Sequence, residues 1–147
     1  MRYIITSLIL LISSNVTIAQ NNIDCKIYQT GYFEFDGKHS NTVIYRNKNY
    51  QIEYNTESGE WVTIKMNWTS DCEYSFTYIN TNMEGLKQYI GHSLDVEIIK
   101  GNSEGYTYHS TYKAGGKEFD GKIIFLVSEL SKAERKKIKK KLKKTKT

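Results

Sequence analysis

The chemically capable residues of this chain are two cysteines, three histidines, a surplus of tyrosines and a run of lysines near the C-terminal end. Cys25 and Cys72 are the only thiols, and no histidine or third cysteine stands at ligand spacing from either, so a metal site would lack its remaining donors. A disulfide is the simplest use of such a pair in an oxidising compartment, with two buried free thiols as the alternative. A bond closing that loop stabilises a fold by about 4 kcal/mol if chain entropy dominates. His39, His92 and His109 are dispersed, and none sits beside a serine, cysteine or acid in a nucleophile or metal motif. The acids are spread one or two per segment, so no carboxylate pair stands out. The glycines fall at turns and form no phosphate loop. These residues nominate no catalytic group, no metal and no cofactor, and the chain is read as non-catalytic.

Tyrosine is the stronger signal, because it offers an apolar body with a hydroxyl that can orient a ligand. Tyr50, Tyr54, Tyr74, Tyr78, Tyr106 and Tyr108 occupy alternate positions of strand-like segments and are read as the lining of a pocket for a small apolar or amphipathic ligand. A core filled with large side chains produces the same pattern. Alternation does not separate a hollow interior from a filled one.

The net charge of +5 hides an asymmetry. Lys132 to Thr147 holds nine lysines and Arg135 against Glu134, a net +9, whereas Gln20 to Ser131 has ten basic against fifteen acidic residues, a net −5. Lys136, Lys137, Lys139, Lys140, Lys141, Lys143 and Lys144 are therefore read as a polybasic segment suited to an anionic envelope surface, lipid headgroups or acidic glycan. A solvated terminal helix without a partner is the alternative. Nucleic acid is disfavoured, because no aromatic residues interleave with the lysines.

The elements that must position these groups read as β-strands. From Asp71 to Tyr78, Tyr74, Phe76 and Tyr78 share one side and Ser75 and Thr77 the other, the period of a half-buried strand. Trp61 to Trp68 alternates in the same way, with Val62, Ile64, Met66 and Trp68 on one face. Further strands are expected over Lys26 to Phe35, Thr42 to Tyr45, Tyr50 to Tyr54, Leu94 to Ile98, Tyr106 to Tyr112 and Gly121 to Val127. Asn82 is placed to cap a short helix near 83–90, ended by Gly91. Ser131-Lys132-Ala133-Glu134 has the spacing of a capping box and opens a basic C-terminal helix, expected to be mostly solvated. The expected fold is all-β, an antiparallel meander of about eight strands. A small lipocalin-like barrel is the first reading and a two-sheet sandwich the alternative.

The chain opens with Met1-Arg2, an apolar block from Tyr3 to Ile12 and small or polar residues to Ala19, the pattern of a secretory signal peptide over 1–19. That block is shorter than the ~20 apolar residues a membrane-spanning helix needs, and no apolar run of that length follows it. The expected organisation is this signal, one β domain over 20–131 and a lysine-rich tail over 132–147, exported to the periplasm or secreted.

Three segments together resemble a family of small exported proteins of Bacteroidetes-type bacteria: Cys25-Lys26 with Gly31-Tyr32-Phe33-Glu34-Phe35, the Trp68 to Tyr78 block, and Ile90-Gly91 followed by Val96-Glu97-Ile98. Members are often labelled DNA topoisomerase IV. A type II topoisomerase needs an ATP-binding region, a metal-binding acidic cluster and a catalytic tyrosine in a large cytoplasmic assembly, and none is visible in these residues. The resemblance implies the compartment and the single β domain, without an activity.

Overall fold

The computed structural model describes residues 24–37, 41–126 and 130–143, the side chains of Leu142 and Lys143 excepted. The expected signal peptide, His39 and Lys144 lie outside the described residues. Eight strands run in order around a closed antiparallel barrel: β1 (Gly31–Phe35), β2 (Thr42–Asn47), β3 (Tyr50–Asn55), β4 (Trp61–Trp68), β5 (Glu73–Thr81), β6 (Ser93–Gly101), β7 (Gly105–Tyr112) and β8 (Glu118–Phe125). Closure comes from pairing of β1 with β8, Phe33 opposite Phe125 and Phe35 opposite Ile123. No sheet edge is left open, and the two-sheet alternative is excluded.

The turns explain how a chain without proline makes so tight a meander. Asn47 Oδ1 accepts from the Asn49 and Tyr50 amides, Asn55 Oδ1 from those of Glu57 and Ser58, and Asn102 Oδ1 from those of Glu104 and Gly105, at 2.8–3.1 Å. One asparagine thus starts each of three hairpin turns by replacing a backbone acceptor. Bulges leave Ile79 unpaired with β4 and Ile99 unpaired with β7, which bends these long strands around the barrel.

The first strand is shorter than the sequence suggests. Cys25–Tyr28 is a 3₁₀ helix, started by Asp24 accepting from the Lys26 amide at 3.2 Å, and the extended chain begins only at Gly31. This turn folds across one end of the barrel as a plug. Its Cys25 is bonded to Cys72 with Cα atoms 5.1 Å apart, and the Tyr28 hydroxyl donates to the Asn102 carbonyl at 2.8 Å. The Tyr28 ring occupies the place where a Cβ on Gly101 would stand, 2.3 Å from the hydroxyl oxygen. At the opposite end a second 3₁₀ helix, Glu84–Tyr89, forms a lid between β5 and β6, with Gly91 at φ +86° ending it.

Helix α1 (Lys132–Lys143) starts at the capping box: the Ser131 amide donates to Glu134 Oε2 at 2.8 Å and the Glu134 amide to Ser131 Oγ at 3.2 Å. Most of its described residues are exposed, as expected, yet the helix is docked on the barrel through one of them. Ile138 is fully buried against an outer-wall cluster of Val43, Ile52, Tyr54 and Leu130, flanked by Tyr32, Tyr45, Trp61 and Leu126. Arg135, Lys139 and Lys141 lie over the rings of Tyr32, Tyr45 and Trp61 at 6.0, 5.6 and 5.3 Å. These distances allow cation–π attraction while the stems cover apolar wall.

The plug depends on its covalent tie, because the turn of four residues has little backbone pairing to hold it. The double variant Cys25→Ser, Cys72→Ser is expected to lose about 4 kcal/mol of unfolding free energy, read as a lower urea midpoint. A midpoint unchanged relative to the parent refutes a structural role for the bond.

Candidate functional site

The plugged half of the interior is filled, and at its centre lies a charge. Arg46 is 1% exposed, where an isolated guanidinium would cost several kcal/mol. Its Nε donates to Gln51 Oε1, its Nη1 to the Tyr28 carbonyl and its Nη2 to the Tyr106 hydroxyl, each at 2.8 Å. The faces of Phe33, Tyr74 and Tyr106 lie 5.1, 5.4 and 5.7 Å from Cζ. Burial works against this charge, but the Tyr106 and Tyr74 phenols and Glu53 outweigh it, so the guanidinium stays protonated. The Tyr74 hydroxyl lies 3.4 Å from that of Tyr106, and burial pushes the Tyr74 phenol well above its ordinary range.

Polarity continues from this cluster toward the lid. Gln51 Nε2 donates to Glu53 Oε1 at 2.8 Å, so an Arg46–Gln51–Glu53 chain climbs the inner wall of β2 and β3. Burial raises the Glu53 carboxyl pKa, only partly offset by the Gln51 hydrogen bond and the Arg46 charge. Tyr78 and Tyr108 are pushed up to about 12, first by burial and then by the Glu53 charge. Gly121 leaves room for Tyr108, since a Cβ there would lie 2.3 Å from the phenol ring.

Two crevices flank Leu86 at the lid end. One, of about 120 Å³, is lined by Phe35, Thr42, Glu53, Asn55, Glu60, Val62, Met83 and Leu86. The other, of about 270 Å³, is lined by Tyr78, Leu86, Tyr89, Leu94, Tyr112, Lys117 and Phe119. The lid is held on its aromatic side: His92 bonds the Tyr112 hydroxyl through Nδ1 and stacks on that ring at 5.7 Å, while Tyr89 meets Tyr112 edge-on at 6.5 Å. The lid is hinged to β5 by the Gly91 amide, which donates to the Tyr78 carbonyl at 2.8 Å. Apolar surface, phenol hydroxyls and one deep carboxyl thus converge on a barrel mouth, a usual place for a small-molecule site.

The expected tyrosine set divides. Tyr74, Tyr78, Tyr106 and Tyr108 face the interior; Tyr74 and Tyr106 are spent on the Arg46 cluster, and Tyr78 lines the mouth. Tyr50 and Tyr54 do not join them. Register pairs Tyr50 with Asn47 and Lys65, and Tyr54 with Val43 and Trp61, all on the outer face, and Tyr54 is covered by the α1 cluster. The inward residues of β3 are the polar ones, Gln51 and Glu53. Sequence reasoning missed Arg46, Gln51, Glu53, Leu86 and Tyr112 as site residues. The one available signal was Ile138, an apolar residue in a lysine run that needs an apolar face to rest on.

Of the tail lysines, Lys136, Lys137, Lys139 and Lys140 are exposed and Lys141 is half-buried. The outer wall of β5 to β8 carries the opposite sign, with Glu73, Glu97, His109 and Asp120 in one cross-strand row. His109 Nδ1 lies 2.8 Å from Asp120 Oδ1, and that hydrogen bond raises the histidine's pKa. Among the described residues no three histidine, cysteine, aspartate or glutamate side chains are grouped to hold a metal, and no helix is long and apolar enough to cross a membrane. No family model, curated protein or solved structure matches the chain.

Because the native carboxyl of Glu53 holds its proton to higher pH than a free one, the native state binds more protons between the unfolded value, about 4.3, and the raised native value. Stability therefore falls as pH rises through that window. Glu53→Gln removes this titration, so the variant should gain stability on the parent across the window and hold a constant advantage above it. Urea midpoints from pH 3.5 to 8 measure this, and parallel pH profiles would show that Glu53 is not desolvated.

Proposed function

We propose that this protein is an exported, non-catalytic binding module that takes a small apolar or amphipathic ligand at the lid end of its barrel. The observation that carries this reading is the contrast between the two ends. The plug end is filled by aromatic rings around a hydrogen-bonded guanidinium, whereas the lid end opens into two crevices with Leu86 between them. The disulfide and the apolar N-terminal block support export. Neither tryptophan lines the crevices: Trp61 lies under α1 and Trp68 beside Arg46, so indole emission is a poor reporter of this site.

Amide chemical shifts of the chain from Gln20 are the direct test. Titration with 1-hexanol is expected to move Phe35, Val62, Leu86 and Tyr112 along one saturable curve, and Leu86→Trp, which fills the space between the crevices, should weaken binding about tenfold or more. Shifts that are scattered or do not saturate would remove the mouth as a ligand site.

The docked helix favours a second reading, in which α1 rests on an anionic lipid surface. Burial of Ile138 fixes the helix on the barrel, and Lys136 and Lys140 project from the side opposite Ile138. Each lysine near an anionic bilayer contributes ~1 kcal/mol. Co-sedimentation is expected with phosphatidylglycerol vesicles and not with phosphatidylcholine, to be lost in 0.5 M salt and in Lys136→Gln, Lys137→Gln, Lys140→Gln. Equal binding to both vesicles, or to neither, refutes this second reading.

A further inference from the structure

We propose that the smaller crevice of the mouth selects a primary amine, seating its ammonium on Glu53 and its apolar stem between Phe35, Val62 and Leu86. This rests on the mouth being a ligand site and adds the chemical class of the ligand.

Glu53 is half-buried and borders the crevice. Among the described residues its hydrogen bond is the one from Gln51, which occupies Oε1. The nearest cation is no competitor for the remaining acceptor capacity, because the three hydrogen bonds of Arg46 point to Gln51, Tyr28 and Tyr106. A carboxyl so placed is a poor anion when the crevice is empty and a strong acceptor for a ligand that brings its own positive charge. The crevice adds a second acid, Glu60, and no lysine or arginine; Lys117, the cation of the mouth, lines the crevice on the other side of Leu86.

The volume limits the stem. About 120 Å³ suits a chain of roughly six carbons or one aromatic ring, not a long acyl chain. A carboxylate ligand would meet Glu53 and Glu60 with like charge. A neutral alcohol would bury its hydroxyl beside Glu53 without relieving the desolvated carboxyl. The order expected on these grounds is amine, then alcohol, then acid.

The test compares hexylamine, 1-hexanol and hexanoate at pH 7 and equal ionic strength, by amide chemical-shift titration of the chain from Gln20. Hexylamine is expected to bind at least about tenfold tighter than 1-hexanol, the order of a charge-assisted hydrogen bond, and hexanoate more weakly than either. In Glu53→Gln the ratio of hexylamine to hexanol affinity should fall to about one, while in Glu60→Gln most of it should persist. If 1-hexanol binds and hexylamine is no tighter, the amine preference is wrong and the mouth reading stands. If none of the three binds, both are wrong. A preference that survives Glu53→Gln but disappears in Glu60→Gln would transfer recognition to the rim and overturn the role given to Glu53.

Discussion

Burial of one guanidinium constrains the interior of this barrel more than any other contact. A charge there requires donors to be matched in three directions, and each partner commits a different part of the fold. Gln51 commits the β2–β3 register, since it stands directly opposite Arg46. The Tyr28 carbonyl commits the N-terminal turn to the barrel end, where Cys25 can reach Cys72. Tyr106 commits β7, with Tyr74 of β5 beside it. The disulfide, the plug and the aromatic load are therefore one arrangement around Arg46 rather than three separate stabilising features. Gly101 belongs to it as well, because the Tyr28 ring needs the volume a side chain would take.

The same constraint explains why one half of the barrel is full and the other is not. Large rings gather where the guanidinium needs a polarisable, water-free shell, and polarity then leaks upward through Gln51 to Glu53. At the lid end the inward positions of β2 and β3 are the directly paired Thr42 and Asn55, and over the smaller crevice the cover comes from Leu86 of the 3₁₀ turn and Met83 just before it. A chain of hydrogen bonds that begins as structural support for Arg46 thus ends as an acid at an opening. Once ionised, that acid lowers the stability of the empty barrel, since the desolvation of its charge is only partly offset by the Gln51 hydrogen bond and the Arg46 charge. A desolvated acid that supports Arg46 through Gln51 and also borders an opening is a place to look for binding.

Strands β4, β5, β6 and β7 were legible in the sequence because each buries one face and wets the other, so their period of two reports the inside directly. Strand β3 was legible as a strand but not in its facing. Tyr50, Ile52 and Tyr54 advertise an apolar face, and the usual inference sends that face inward. Here the covering layer for Ile52 and Tyr54 is α1, some eighty residues later, and no local pattern announces it. Arg46 was hidden for a related reason: read locally, Arg46-Asn47-Lys48-Asn49 is a polar turn, and only the register shows that its first residue points into the barrel while Asn47 makes the turn. The plug was read as strand because Tyr28, Tyr32, Phe33 and Phe35 form one aromatic run, and the Asp24 cap that bends its start is a single hydrogen bond. Closure, the disulfide and the capping box depend on pattern and composition; the site depends on which side of β3 is covered, which is a tertiary fact.

The docked helix also decides how the charge of the molecule is arranged. Its contacts are with the outer wall around β3, whereas Glu73, Asp95, Glu97, Glu118 and Asp120 lie on the outer wall of β5 to β8. In a closed eight-stranded barrel, β7 stands opposite β3, so the basic and acidic sides face away from each other across the barrel axis rather than along it. Among the described residues this arrangement would present the β3 side, and not the β7 side, to the anionic surface proposed above. The crevice that Glu53 borders lies at the lid end of the barrel. The attachment proposed for α1 and the ligand entry proposed for the mouth use different parts of one barrel, its side and its end.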